Sequence, residues 1–166
     1  MMKRNEIRKI ALGGLLAAAA VTIMCLGGLI PVATYVCPML CCLTQFVVLR
    51  FCGKRIGWTW FAVVSILSLL LGPDKEAAMV FLAIGYYPLI KPLLDKSKLR
   101  LILKLLFFNA SVLAAYAVMA WLFGMWDVIA ENMEFGLAGL IVILALGNLT
   151  FFLLDRLLVI MDRKLR

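Results

Sequence analysis

Side chains able to do chemistry are few in this chain, and they fall into three groups. Residues 72–91 read GPDKEAAMVFLAIGYYPLIK, which sets three consecutive charges, Asp74, Lys75 and Glu76, directly ahead of an apolar run. Charges at the mouth of a helix serve one of two purposes. They cap it, with Asp74 as N-cap, Glu76 in the first turn and Lys75 partly neutralising both; or they line the entrance of a polar solute site. The second group, Lys104, Asn109, Asn148 and Asp155, lies within long apolar stretches, where an unpaired polar group is costly. The third group is five cysteines, Cys25, Cys37, Cys41, Cys42 and Cys52, in a chain without histidine. Cys37-x-x-x-Cys41 shares a helical face, but a closed metal site needs about four ligands. The cysteines therefore read as small apolar packers, with acylation of Cys52 as the alternative at the end of its segment. No Gly-x-Ser-x-Gly, phosphate-binding loop or intramembrane pair of carboxylates is present, so neither a catalytic residue nor a cofactor is expected.

The elements that position these groups are set by composition. Of the 166 residues, 66% are hydrophobic and 16% charged, with a mean hydropathy of +1.08. That exceeds what one soluble core of this size buries. Breaks at Pro31, Gly53-Lys54-Arg55, Gly72-Pro73-Asp74, Lys91 to Arg100 and Trp126 to Glu134 divide the chain into six apolar segments. The expected spans are 10–30, 33–51, 57–72, 76–90, 101–124 and 136–159, in one compact all-α bundle of six transmembrane helices covering residues 1–166. The first segment resembles a signal peptide, but its length matches the ~30 Å of a bilayer core, so it reads as a retained helix. Within the fourth, Gly85-Tyr86-Tyr87-Pro88 reads as an aromatic anchor at the headgroup level or a docking surface, with Pro88 bending or ending the helix before Lys91-Pro92.

In a six-span arrangement, 16 of the 17 Lys and Arg residues fall on one side and Lys75 alone falls opposite. Basic residues stay in the cytoplasm during insertion. Both termini are therefore expected inside, in a multi-pass protein of the cell (plasma) membrane, with bulk lipid as its surroundings. The opposite side holds Asp74, Glu76, Asp127, Glu131 and Glu134, five of the nine acids. The net charge of +8 is thus a topology signal, and nucleic acid is not an expected partner.

Counting from the loops places Asn109 and Asn148 at matching depth, where an amide pair would satisfy both, and Lys104 and Asp155 nearer the inner surface, as an ion pair or as separate snorkelling charges. Tyr116 falls in the outer half of its segment, and Trp121, Trp126 and Phe135 fall near the outer boundary, as an aromatic belt or as the wall of a binding site. Gly13-x-x-x-Ala17 and Gly14-x-x-x-Ala18 put small side chains one turn apart on a helical face, for packing inside the bundle or against a partner.

Six short helices with both ends inside, and a basic start followed by IALGGLLAAAAV, resemble the substrate-binding S components of energy-coupling-factor (ECF) vitamin transporters. In that family an Ala-x-x-x-Ala motif on the first helix packs on a transmembrane coupling subunit; here Gly13, Gly14, Ala17 and Ala18 stand in its place. The resemblance implies that coupling subunit and two cytoplasmic ATPases as partners. It also implies a small-molecule solute bound from outside, in the zone of Asp74, Lys75, Glu76, Tyr116, Trp121 and Trp126. A similar layout is seen in the rod-shape-determining membrane protein D family, which implies a non-transporting scaffold.

Overall fold

The computed structural model describes residues 4–27, 33–96, 99–124 and 136–164. They form seven helices: α1 (Arg4–Gly27), α2 (Ala33–Cys52), α3 (Lys54–Leu71), α4 (Lys75–Ile84), α5 (Tyr87–Leu94), α6 (Arg100–Phe123) and α7 (Gly136–Lys164). There is no strand among the described residues. Five segments, Arg4–Gly27, Thr34–Cys52, Lys54–Leu71, Lys75–Leu94 and Arg100–Val118, are long and apolar enough to cross a membrane. The chain divides into two compact units, Met1–Lys96 and Ser97–Arg166.

In the first unit α2 is the central element, packed on α1, α3, α4 and α5. Cys41, Cys42, Phe46 and Val48 of α2 are buried, as are Met24 of α1, Trp60 and Val64 of α3, and Phe81 of α4. The thiols act as the short side chains of a tight core, since Cys41 Sγ lies 3.5 Å from the Ala20 carbonyl and Cys52 Sγ 3.3 Å from that of Lys9. Helix α1 buries Gly13, Ala17, Ala20, Met24 and Gly27. The alternating spacing of four and three keeps one narrow seam of small residues facing its neighbours. The α2–α3 connection needs only Gly53, whose φ of 94° suits glycine alone among common residues.

The fourth apolar segment differs from the single helix expected over 76–90. It is α4 and α5 in succession, interrupted at Gly85-Tyr86 and continuing through Lys91-Pro92 to Leu94. Pro88 is the physical reason for the break: it has no N–H to give to the Ile84 carbonyl, and it is tolerated in the first turn of α5, where a missing N–H leaves no bond unmade. Gly85 makes the bend possible, because a Cβ there would lie 2.6 Å from the Phe81 carbonyl oxygen and 2.8 Å from its ring. Tyr87 is fully buried rather than interfacial, as the bend turns it into the core, while Tyr86 is half-buried with its ring 5.7 Å from that of Phe61. Two other limits move: α1 begins at Arg4, six residues before the expected 10, and α7 runs to Lys164.

The second unit is the antiparallel pair α6–α7. Its direction is fixed by contacts in which numbers rise along one helix and fall along the other: Lys104 with Asp155, Phe108 stacked on Phe151 at 4.6 Å, and Asn109 with Asn148.

Candidate functional site

At the junction of α2, α3 and α4, every charge of the Asp74-Lys75-Glu76 run has a partner within the first unit. Asp74 is the N-cap of α4; its Oδ1 accepts from the Ala77 N–H at 3.0 Å, and its Oδ2 accepts from the Thr34 hydroxyl at 2.7 Å. Glu76 accepts from the Tyr35 hydroxyl at 3.0 Å. Lys75 departs from the expected role of neutralising its neighbours, since its ammonium donates to the carbonyls of Leu69 at 2.7 Å and Gly72 at 2.8 Å. Those carbonyls close the C-terminal turn of α3, where the helix leaves acceptors unsatisfied and carries partial negative charge. The three charges thus tie the end of one helix, the start of the next and the start of α2 into one clamp.

Helix α1 separates its two small-residue pairs by a rotation of about 100°. Gly13 and Ala17 are buried, and a Cβ on Gly13 would sit 3.4 Å from Ile56 of α3. Gly14 and Ala18 are exposed, with nothing within 4 Å of where a Gly14 Cβ would be. Beside them a groove of about 680 Å³ runs between α1 and α3. Its floor is Gly13, Gly14 and Ala17, and one wall is Trp60. Glu6, Lys9 and Arg55 stand at the end where α1 and α3 begin. This groove lies at the opposite end of the first unit from the Asp74 clamp.

No family model, curated protein or solved structure matches this chain.

Deep in the first unit, Gln45 crosses from α2 to α3, its Nε2 donating to the Gly57 carbonyl at 2.9 Å while its Oε1 has no partner among the described residues. Leu89 of α5 also packs on Gly57, where a Cβ would lie 3.0 Å from its side chain. A fully buried amide oxygen without a donor thus lies where α2 and α3 meet the half-helix that follows the break at Gly85. The indole N–H of Trp60 and the hydroxyls of Ser65 and Ser68 are likewise buried without a partner. Each such group favours a ligand or water over an empty site, since an unmet buried donor or acceptor costs ~1–3 kcal/mol.

In the second unit the four polar residues of the apolar segments come together as two pairs. Asn109 Nδ2 donates to Asn148 Oδ1 at 3.1 Å, and Asn148 Nδ2 returns a bond to Asn109 Oδ1 at 3.2 Å. Lys104 Nζ reaches Asp155 Oδ2 at 3.0 Å, with the lysine almost fully buried. Between them Phe108 stacks on Phe151 and covers Gly147. Tyr116 is half-buried and Trp121 exposed on α6, and Trp126 lies outside the described residues. Asp74, Lys75 and Glu76 belong to the first unit and Tyr116 and Trp121 to the second. The sequence reading did not anticipate Thr34, Tyr35, Trp60 or the charged end of the groove, since Thr34 and Asp74 are 40 residues apart and share no local pattern.

Proposed function

We propose that this chain is a multi-pass cell-membrane protein, with both termini in the cytoplasm, acting as the solute-binding subunit of an ECF-type transporter. It docks through α1 on a transmembrane coupling subunit that carries two cytoplasmic ATPases. The observation that carries this reading is the division of α1, in which Gly13 and Ala17 are used inside the first unit while Gly14 and Ala18 remain open. A small face of this kind lets the backbone of another membrane helix approach closely. The interrupted α4–α5 segment beside the unpaired Gln45 oxygen adds support, because broken membrane helices supply free backbone groups to solutes and ions.

A second reading is a non-transporting scaffold of the rod-shape-determining membrane protein D kind. It is favoured by the clamp, in which Asp74, Lys75 and Glu76 all have intramolecular partners and act as caps. The two readings separate on one preparation. The parent protein, purified from a bacterial membrane in mild detergent, is extracted and its small molecules are identified by mass spectrometry, while native electrophoresis reports the size of its complex. The transporter reading expects a co-purified solute that Gln45→Leu releases, and a large complex that Gly14→Leu dissolves. A large complex without solute would establish the scaffold, and a lone chain without solute would overturn both.

A further inference from the structure

We propose that Met24, Cys37 and Cys41 form a site for one copper(I) ion, held by three sulfurs between α1 and α2. Such a site depends on no transported solute and no partner subunit. Two contacts fix how the helices run past each other. Cys41 lies against the Ala20 carbonyl and Cys52 against that of Lys9, so eleven residues forward on α2 match eleven residues back on α1. Four residues the other way, the same register sets Cys37 level with Met24. All three side chains are buried, with Cys37 at 7% exposure, Cys41 at 0% and Met24 at 2%. Cys37 and Cys41 stand one turn apart on one face of α2, with Cβ atoms about 5–6 Å apart. Side chains on a helix lean toward its start, so the Met24 thioether reaches back toward Ala20, into the interval between the two thiols. Ala20 is small and fully buried, which lets the helices come this close.

The donor set selects the ion. Among the described residues no three Cys, Asp or Glu side chains gather as a metal site. The third donor here is a thioether, which copper(I) accepts along with thiolate. The ligand count that argues against zinc at Cys37-x-x-x-Cys41 does not bar copper(I), which is content with fewer donors. Charge points the same way, because an unbalanced charge in an apolar core is costly. A monovalent ion that displaces the proton of one thiol is left with one thiolate, one thiol and one thioether, and the whole is neutral. The S–H bond that breaks gives its proton to solvent at the near end of the helices, since Cys37 lies four residues from the start of α2 at Ala33. No electron is transferred.

The test uses the full-length protein in detergent, reduced and then freed of reductant under nitrogen, with silver(I) as a redox-stable probe and native mass spectrometry as the readout. The parent is expected to hold one silver ion per chain against an excess of free methionine, to release one proton per ion, and to refuse zinc. Cys37→Ser and Cys41→Ser are each expected to lose the ion. Met24→Leu is expected to weaken retention by about tenfold or more, the scale on which removing even an outer contact weakens a metal site. It conserves volume and leaves the fold intact, so this arm stands even where a cysteine variant fails to fold. Cys25→Ser, Cys42→Ser and Cys52→Ser, whose thiols lie off this face or at other levels, are expected to retain the ion. A parent that holds no silver overturns the proposal. So does equal retention in the parent, Cys37→Ser and Met24→Leu, or loss of the ion in Cys25→Ser or Cys52→Ser, either of which would make binding a general property of free thiols.

Discussion

At the scale of single residues, the amide pair is the sharpest case of a contact that depth counting can find. Asn109 and Asn148 are expected at equal distance from one membrane face by residue number alone, and each amide N–H donates to the carbonyl oxygen of the other. Asn148→Leu is expected to destabilise the second unit by about 1 kcal/mol, and the double replacement with Asn109→Leu to cost less than the two singles summed. Detergent unfolding of the four proteins measures this, and strict additivity would show that the pair contributes nothing jointly. Lys75 is a case that depth counting cannot reach. Its charge was legible, but its partners are backbone carbonyls of α3, invisible to a reading that matches side chains by type. Lys75→Gln is expected to fray the last turn of α3 at a cost of about 0.3–1 kcal/mol, read as faster hydrogen exchange around Leu69 to Leu71. Unchanged exchange there would rule out the capping role.

At the scale of elements, helix limits were legible to within a few residues wherever Gly, Pro and charge coincide. The α2–α3 turn at Gly53 is the clearest case, because glycine at positive φ and a cluster of bases mark the same point. The interruption of the fourth segment was legible only in part. Pro88 announced a bend, but the position of the break depends on the close approach of Gly85 to Phe81, which is a tertiary fact. Gly85→Leu is expected to cost about 1–3 kcal/mol by forcing that contact apart, whereas Gly14→Leu, facing open space, is expected to leave the melting temperature of the isolated protein unchanged. Thermal melts of the two variants side by side check both. A large loss in the Gly14 variant would mean that its face is already occupied within the chain. Trp60 was unreadable for the same reason as Gly85, since nothing in its neighbours along the chain tells that its N–H is left without an acceptor.

At the scale of the whole molecule, the strongest regularity is the distribution of charge. The division between the two units at Lys96–Ser97 falls inside the Lys91 to Arg100 interval that the sequence marks as a break. Single cysteines introduced into a cysteine-free background test the resulting topology in intact cells. Labelling from outside is expected at position 75 and absent at positions 54 and 96. Outside labelling at position 54 would reverse the assignment of the membrane faces. The site was less legible than the architecture, because hydropathy and charge report on insertion, while a groove arises only when two helices 40 or more residues apart along the chain are laid side by side.

The paired polar seam of the second unit also has a timetable. Asn109 and Asn148 are 39 residues apart, and Lys104 and Asp155 are 51 apart. At the usual ~5–20 residues per second of synthesis, Asn109 and Lys104 each wait roughly 2–10 s for their own partners to be made. During that interval an amide and an ammonium stand in an apolar segment with nothing from α7 to bond, so α6 is expected to stay beside the insertion machinery until α7 arrives. Photocrosslinking from position 109 to that machinery in stalled nascent chains is expected to persist until the chain extends well past residue 155, and then to fall. Release before Asn148 has been made would mean that α6 enters lipid with its polar groups unpaired.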